Sequence, residues 1–216
     1  VQMRAVNPVK WGPSAWALLH LISFNRDLPM RDAKAFLSTL REVLPCPACR
    51  EHFVAHMREI SFPRSVTRFG RWMYELHERV NAGLGKSSEL TFKEVREKWQ
   101  THAVNERCDF RELDVWKFLL SVVEAHPGKQ ALTDSYVKAS QEFWRLFPDV
   151  LPNCMQEAKV HLREYMQKFA MDESVLVSRT KYREWVQRLY KEFEGREISA
   201  RLNHATEAQC STVCRA

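Results

Sequence analysis

The chain has little glycine, 6 residues in 216, and few runs in which apolar and polar residues alternate. Tight hairpin turns lean on glycine and half-buried strands on alternation, so the two shortages together exclude a mainly β fold and predict helix throughout. Long apolar runs are also missing, and nothing reads as a membrane span. Residues 1–10 are too short and too polar for a signal peptide. No stretch interleaves basic and aromatic residues as nucleic-acid modules do, so no nucleic-acid partner is expected.

What is present is the composition of an ordinary globular protein, 45% hydrophobic and 28% charged, with length for one large domain or two small ones. The net charge of +6 is unevenly spread. Residues 1–105 carry 16 Lys and Arg against 10 Asp and Glu, and the remainder 17 against 17. The excess is either a solvated basic face or a place for an anion such as a pyrophosphate.

Six cysteines form two close pairs, Cys46/Cys49 and Cys210/Cys214, with Cys108 and Cys154 single. Pro45 and Pro47 suit the entry and first turn of a helix, where a missing N–H costs nothing. From Cys49 to Phe62 there is no Gly or Pro, so a helix can propagate. Cys46 and Cys49 then share one face of its first turn, and the positive end of the helix dipole favours thiolate. Such a pair can cycle between dithiol and disulfide, and redox chemistry is the leading reading. Other readings stay open: a zinc site built from Cys46, Cys49, His52 and His56, a structural disulfide, or thioredoxin chemistry, although no βαβ setting is visible. Cys108 and Cys154 either pair across a linker or stay as buried thiols.

Along the chain, apolar periodicity predicts helices from about Pro13 to Phe24, with residues 1–10 as an irregular lead and Trp11-Gly12-Pro13-Ser14 as a break. Further helices are expected over Arg31–Leu44, from the CxxC onward, and over Ser65–Leu84, where Phe69, Trp72, Met73, Leu76, His77 and Val80 mark a 3.6-residue period. Gly83 and Gly85 close that helix. Thr91-Phe92-Lys93-Glu94 is a capping box for a short fifth helix. The second half reads as a worn copy: helices over 113–126, 134–147, after Pro152 to Phe169, and 178–194, with Trp116 echoing Trp16. Where the first half has Cys46, Cys49, His20, His77 and Asn81, the second has Asn153, Gln156, Leu120, Tyr190 and Glu194. The expected organisation is all-α. A four-helix bundle with a short fifth helix fills 1–105, a non-catalytic helical lobe fills 106–195, and 196–216 is a tail that carries the second dithiol.

Trp16 and His20 on one helix, His77 and Asn81 on another, and Trp99 on the fifth can line one cavity for a planar heterocycle, with Lys86 placed to meet a phosphate. Each residue alone reads first as a core aromatic or a satisfied buried histidine. Together they carry a resemblance. Trp11-Gly12-Pro13-Ser14-Ala15-Trp16-Ala17-Leu18-Leu19-His20 resembles the WGxxxWxxLH opening of the Erv/ALR family of flavin-dependent sulfhydryl oxidases. Leu44-Pro45-Cys46-Pro47-Ala48-Cys49 is similar to its YPCxxC site. Leu76-His77-Glu78-Arg79-Val80-Asn81-Ala82-Gly83-Leu84-Gly85-Lys86 is similar to its LHNxVNxxLGK segment, and Lys98-Trp99 to its closing RW.

The resemblance implies a helical bundle that binds FAD non-covalently beside the CxxC. It implies that Cys49 passes electrons to the flavin, that Cys46 exchanges with an incoming dithiol, and that Cys210/Cys214 is the shuttle from cysteine-rich substrate proteins. Oxygen or cytochrome c is the implied acceptor. By the same likeness Gly12, Ser14, Trp16, His20, Tyr74, His77, Val80, Asn81, Leu84, Lys86, Lys98 and Trp99 line the flavin, and no metal is involved. Pro13 departs from the family's usual arginine, and Met57 with Leu90 or Phe92 stands where relatives have a structural disulfide. Relatives form homodimers through the flavin bundle, a face the second lobe would replace or cover. The added lobe resembles the kinetoplastid branch, which implies the mitochondrial intermembrane space, with a viral member as the competing assignment. A redox-inactive helical scaffold or zinc-holding adaptor is the alternative from another class.

Overall fold

The computed structural model describes residues 5–87, 90–104 and 113–195. Among them lie ten α-helices and no strand. In order these are α1 (Pro8–Ser23), α2 (Met30–Val43), α3 (Pro47–Glu59), α4 (Val66–Gly83), α5 (Phe92–Val104), α6 (Val115–Glu124), α7 (Asp134–Val150), α8 (Gln156–Lys168), α9 (Glu173–Leu176) and α10 (Arg179–Glu194).

Local signals set most helix ends. Cys46 caps α3, its Sγ accepting the Cys49 N–H at 3.2 Å, with Pro47 in the first turn. At the end of α4, Gly85 takes φ +66°, the Gly85 N–H bonds to the Ala82 carbonyl and the Lys86 N–H to the Asn81 carbonyl. This is the glycine-dependent C-cap in which two orphan carbonyls are satisfied at once. The box at α5 is formed reciprocally, with the Thr91 N–H and hydroxyl on Glu94 Oε2, both at 2.7 Å.

The first helix departs from expectation. It begins at Pro8, not Pro13, and runs straight through Trp11-Gly12-Pro13-Ser14. Pro8 fits the first helical position and Asn7 Oδ1 caps the Val9 N–H at 3.0 Å, so the start is well determined. Pro13 then removes only the bond to the carbonyl of Val9. That residue is 63% exposed, so water can serve its carbonyl. Likewise α7 continues through Pro148 to Val150 rather than ending at Phe147, and the short α9 was not expected.

In the first half α1 packs on α4 and α5, while α3 lies against both α2 and α4. In the second half α10 packs on α6, α8 and α9, and α7 on α8. The two halves meet helix for helix, α2 along α7 and α1 along α6. Phe36 on α2, fully buried, stacks at 5.2 Å on Phe143 and at 6.3 Å on Phe147 of α7. Asn25, before α2 begins, donates to the carbonyls of Val150 and Leu151 where α7 ends. One continuous apolar core runs through both halves. Near its edge Gly70 lets α4 approach α1 closely: a Cβ there would sit 2.7 Å from the Phe24 ring.

Candidate active site

The elements of the first half enclose a cavity of about 900 Å³. From α1 come Gly12, Ser14, Trp16 and His20; from α4, Tyr74, His77, Val80 and Asn81; from its cap, Leu84 and Lys86; from α5, Lys98 and Trp99. All twelve residues expected near a flavin from the sequence thus lie on one wall or another of a single cavity. Cys49 is on the wall too, half-buried, whereas Cys46 is fully buried and does not line it. The two are joined as a disulfide with Cα atoms 5.1 Å apart.

Two aromatic pairs shape the interior. The Trp16 and His77 rings stack at 3.9 Å with planes 10° apart, and His20 stacks on Trp99 at 6.0 Å. His20 Nε2 and His77 Nδ1 share a hydrogen bond of 3.0 Å. Burial drives both imidazoles toward the neutral form. His20 is lowered to about 3, first by desolvation and then by the charges of His77 and Lys98. His77 is lowered to about 4, again chiefly by desolvation. The second ring nitrogen of His20, Nδ1, is buried without a hydrogen-bond partner. Such a group costs free energy unless a ligand satisfies it.

FAD fits this arrangement. The volume is at the upper end of the ~300–1,000 Å³ usual for ligand pockets, the walls are flat and aromatic, and an unsatisfied polar nitrogen stands among them. Lys86 and Lys98 are exposed at the cavity, where a pyrophosphate can be both bound and hydrated.

Several lining residues escaped the sequence reading. Leu113 and Asp114, just before α6, belong to the second half yet reach the cavity. Asp114 is the one described non-glycine residue with positive φ, 51°, and accepts from Lys117 Nζ at 2.5 Å; neither feature can be read from the sequence. His52, His56 and His102 also line it. In the sequence the i,i+4 spacing of the first two offers them only as zinc ligands. Zinc needs several convergent donors, and among the described residues no group of three His, Cys, Asp or Glu converges. The sulfurs of Cys46 and Cys49 are committed to each other. Cys154 is disulfide-bonded rather than a buried thiol. Cys108, Cys210 and Cys214 lie outside the described residues.

The Erv1 / Alr family profile matches residues 13–100, the span that builds this cavity. The putative FAD-linked sulfhydryl oxidase 347L of Invertebrate iridescent virus 6 is 30% identical over 111 residues, covering 45% of this chain and 99% of that protein. The chain belongs to the Erv1 / Alr family. The mitochondrial FAD-linked sulfhydryl oxidase ERV1 of Saccharomyces cerevisiae is 34% identical over 82 residues, 35% of this chain and 43% of the yeast protein. The FAD-linked sulfhydryl oxidase ERV1 of Oryza sativa subsp. japonica is 30% identical over 105 residues, 45% of this chain and 54% of its own. The chain thus spans about half the length of these two. No solved structure matches. The second half, from residue 113 on, lies outside the family match yet contributes Leu113 and Asp114 to the site.

Proposed function

We propose that this Erv1 / Alr chain, an FAD-linked sulfhydryl oxidase, makes disulfides in cysteine-rich substrate proteins. Two electrons per disulfide leave the substrate for Cys210/Cys214 and pass to Cys46–Cys49, where FAD, held by the cavity residues, would supply the route to oxygen or cytochrome c. The observation that carries this reading is the place of Cys49: it is the member of a CxxC disulfide that opens on the aromatic cavity.

FAD, when bound, supplies a two-electron acceptor that can take electrons from a dithiol. The chain's residues do the rest. Trp16, His77 and Trp99 present flat surfaces against which a ring system can be held in one orientation. His20 and His77, both neutral, offer hydrogen-bonding nitrogens without adding charge to the cavity. Lys86 and Lys98 stand ready for phosphates. The helix start at Cys46–Cys49 favours thiolate in the reduced pair. Cys46 is fully buried, so its exchange with an incoming thiolate requires a local opening of the structure, while Cys49 is already turned to the cavity. In each exchange the attacking dithiol is oxidised and the CxxC disulfide is reduced to two thiols.

The four-helix arrangement of α1 to α4 with α5 is the flavin-binding unit of this reading, and the second half is its non-catalytic lobe. The yeast relative, a mitochondrial protein by name, supports a mitochondrial place, within which the intermembrane space and a kinetoplastid-type enzyme are the finer reading of the added lobe; the iridescent-virus relative supports a viral one. Fractionation of the source cells separates the two.

The deciding experiment is a visible absorption spectrum before and after anaerobic dithiothreitol, on the wild type and on Cys49→Ser. The wild type should be yellow, bleach with dithiol and recover its colour in air, whereas the variant should keep its flavin and not bleach. A folded, colourless wild type would remove the oxidase reading in favour of the scaffold or adaptor.

A further inference from the structure

Cys46 is fully buried, yet in the proposed relay it is the cysteine that meets an incoming thiol, so some part of the chain has to leave it. The hydrogen bonds point to residues 5–7. Val6 stands ahead of α1, outside any helix, with 3% of its surface exposed. Its N–H donates to the carbonyl of Pro45 at 2.8 Å. That oxygen belongs to the peptide group joining Pro45 to Cys46, so covalent geometry holds the Val6 nitrogen within about 6 Å of the Cys46 Cα. Val6 is tied on its other side as well. Its carbonyl accepts Trp11 Nε1 at 3.0 Å, and the Trp11 ring lies 6.0 Å from that of Phe118 on α6. A short non-helical strap thus crosses the entry to the CxxC.

The rest of the surroundings is harder to open. Along the chain Cys46 sits between the end of α2 and the start of α3, and a helix yields only by breaking its ladder over a turn or more. The Leu44 carbonyl is held by Arg50 Nε at 2.7 Å, a bond within the CxxC segment that moves with it. Releasing residues 5 and 6 breaks the bonds to Pro45 and Trp11 and uncovers one valine, while the Asn7 cap on α1 stays. Local openings take such low-cost routes. Cys49 has a separate approach, because it lines the cavity.

We propose that Val6 is a positioning residue for thiol exchange: its strap covers Cys46 when closed, and its opening sets how fast an incoming thiol reaches that sulfur. The incoming thiolate attacks Cys46 Sγ and forms a mixed disulfide with it, the Cys46–Cys49 bond breaks, and Cys49 leaves as the thiolate. This outcome puts the released sulfur on the cavity side. Attack on Cys49 would leave Cys46 as the free sulfur, sealed away from the cavity. The strap therefore governs one of the two directions in which a single disulfide can be opened. This inference rests on Cys46–Cys49 being the redox pair of the proposed oxidase, with Cys46 as its thiol-facing member.

The test is the rate of glutathione attack on the oxidised pair in the full chain, under anaerobic conditions. Samples are quenched in acid and alkylated, and fragmentation of the peptide that holds both cysteines tells which sulfur carries the glutathione. Val6→Ala keeps the N–H and deletes two buried methyl groups; it should speed adduct formation at Cys46 about tenfold and leave Cys49 within about twofold of wild type. Val6→Pro, which removes the donor to the Pro45 carbonyl, should act in the same direction, and Val6→Ile should keep the wild-type rates. Hydrogen exchange reads the opening itself. In Val6→Ala the protection of the residue 6 amide should fall by the same factor as Cys46 speeds up, with the amides of α2 unchanged. Protection that falls without a faster Cys46 would overturn the gate, as would wild-type rates in Val6→Pro. A rise shared equally by both sulfurs would reduce Val6 to a structural residue. A disulfide that glutathione leaves intact in every protein, Val6→Pro included, would instead strike the oxidase reading.

Discussion

Lowering the pH from about 7.5 to about 5 should destabilise the flavin-free protein through two histidines in the cavity wall. His20 and His77 titrate at about 3 and about 4 in the folded chain, below the ordinary 6.5, because burial disfavours their charged forms. The unfolded chain therefore binds more protons than the folded one at every pH between the two values. Stability contributed by the pair is complete above 6.5 and is lost as the pH falls below it. At pH 5 each imidazole is about 1.5 pH units below its unfolded value and still neutral when folded, which is worth about 2 kcal/mol. His77 is only partly buried and bonded to His20, so about 3 kcal/mol is expected for the pair. Urea unfolding followed by tryptophan fluorescence at pH 5, 6 and 7.5 measures the loss. The double variant His20→Gln, His77→Gln isolates it, since His126, also lowered by burial, is common to both proteins. Glu94, Glu142 and Asp172 lie below the usual carboxylate range and lose their contributions only at more acid pH. If the double variant lost as much stability as the wild type between pH 7.5 and 5, the neutral-pair account would be refuted.

Two other outcomes are expected. Phe36→Ala should cost about 3–5 kcal/mol and leave a single cooperative transition, because Phe36 is fully buried between the halves and stacked on Phe143 and Phe147; a loss under 1 kcal/mol in a denaturant titration would show that the halves do not share a core. Replacing Cys210 and Cys214 by Ser should slow oxidation of a reduced protein substrate at least tenfold while sparing dithiothreitol, and equal rates on protein would remove the shuttle assignment.

Elements governed by a few neighbouring residues were legible in the sequence. The capping box at Thr91–Glu94 and the glycine close of α4 are short-range hydrogen-bond patterns, and both appear as read. The start of α3 at the CxxC follows from Pro47 and a cysteine cap. The errors were local as well. Pro13 reads as a breaker, but an Asn7 cap and a proline at the first position already commit the chain to helix.

Of the residues that line the cavity, Trp16, His20, His77, Asn81, Lys86 and Trp99 were legible from chemical type and helical position, and Gly12, Ser14, Tyr74, Val80, Leu84 and Lys98 only through the family resemblance. Their company was not. That Leu113 and Asp114 join the cavity, and that Cys46 is sealed while Cys49 faces the wall, depend on contacts between segments far apart in the chain.

The sequence by itself determined the helices, the redox pair at a helix start and the family motifs, since capping, periodicity and residue chemistry act over a few positions. Only the tertiary structure decided which sulfur meets the cavity, how far two histidines are driven from protonation, and that α2 and α7 join the halves into one core. Burial and desolvation are properties of how segments surround one another, and no local pattern records them.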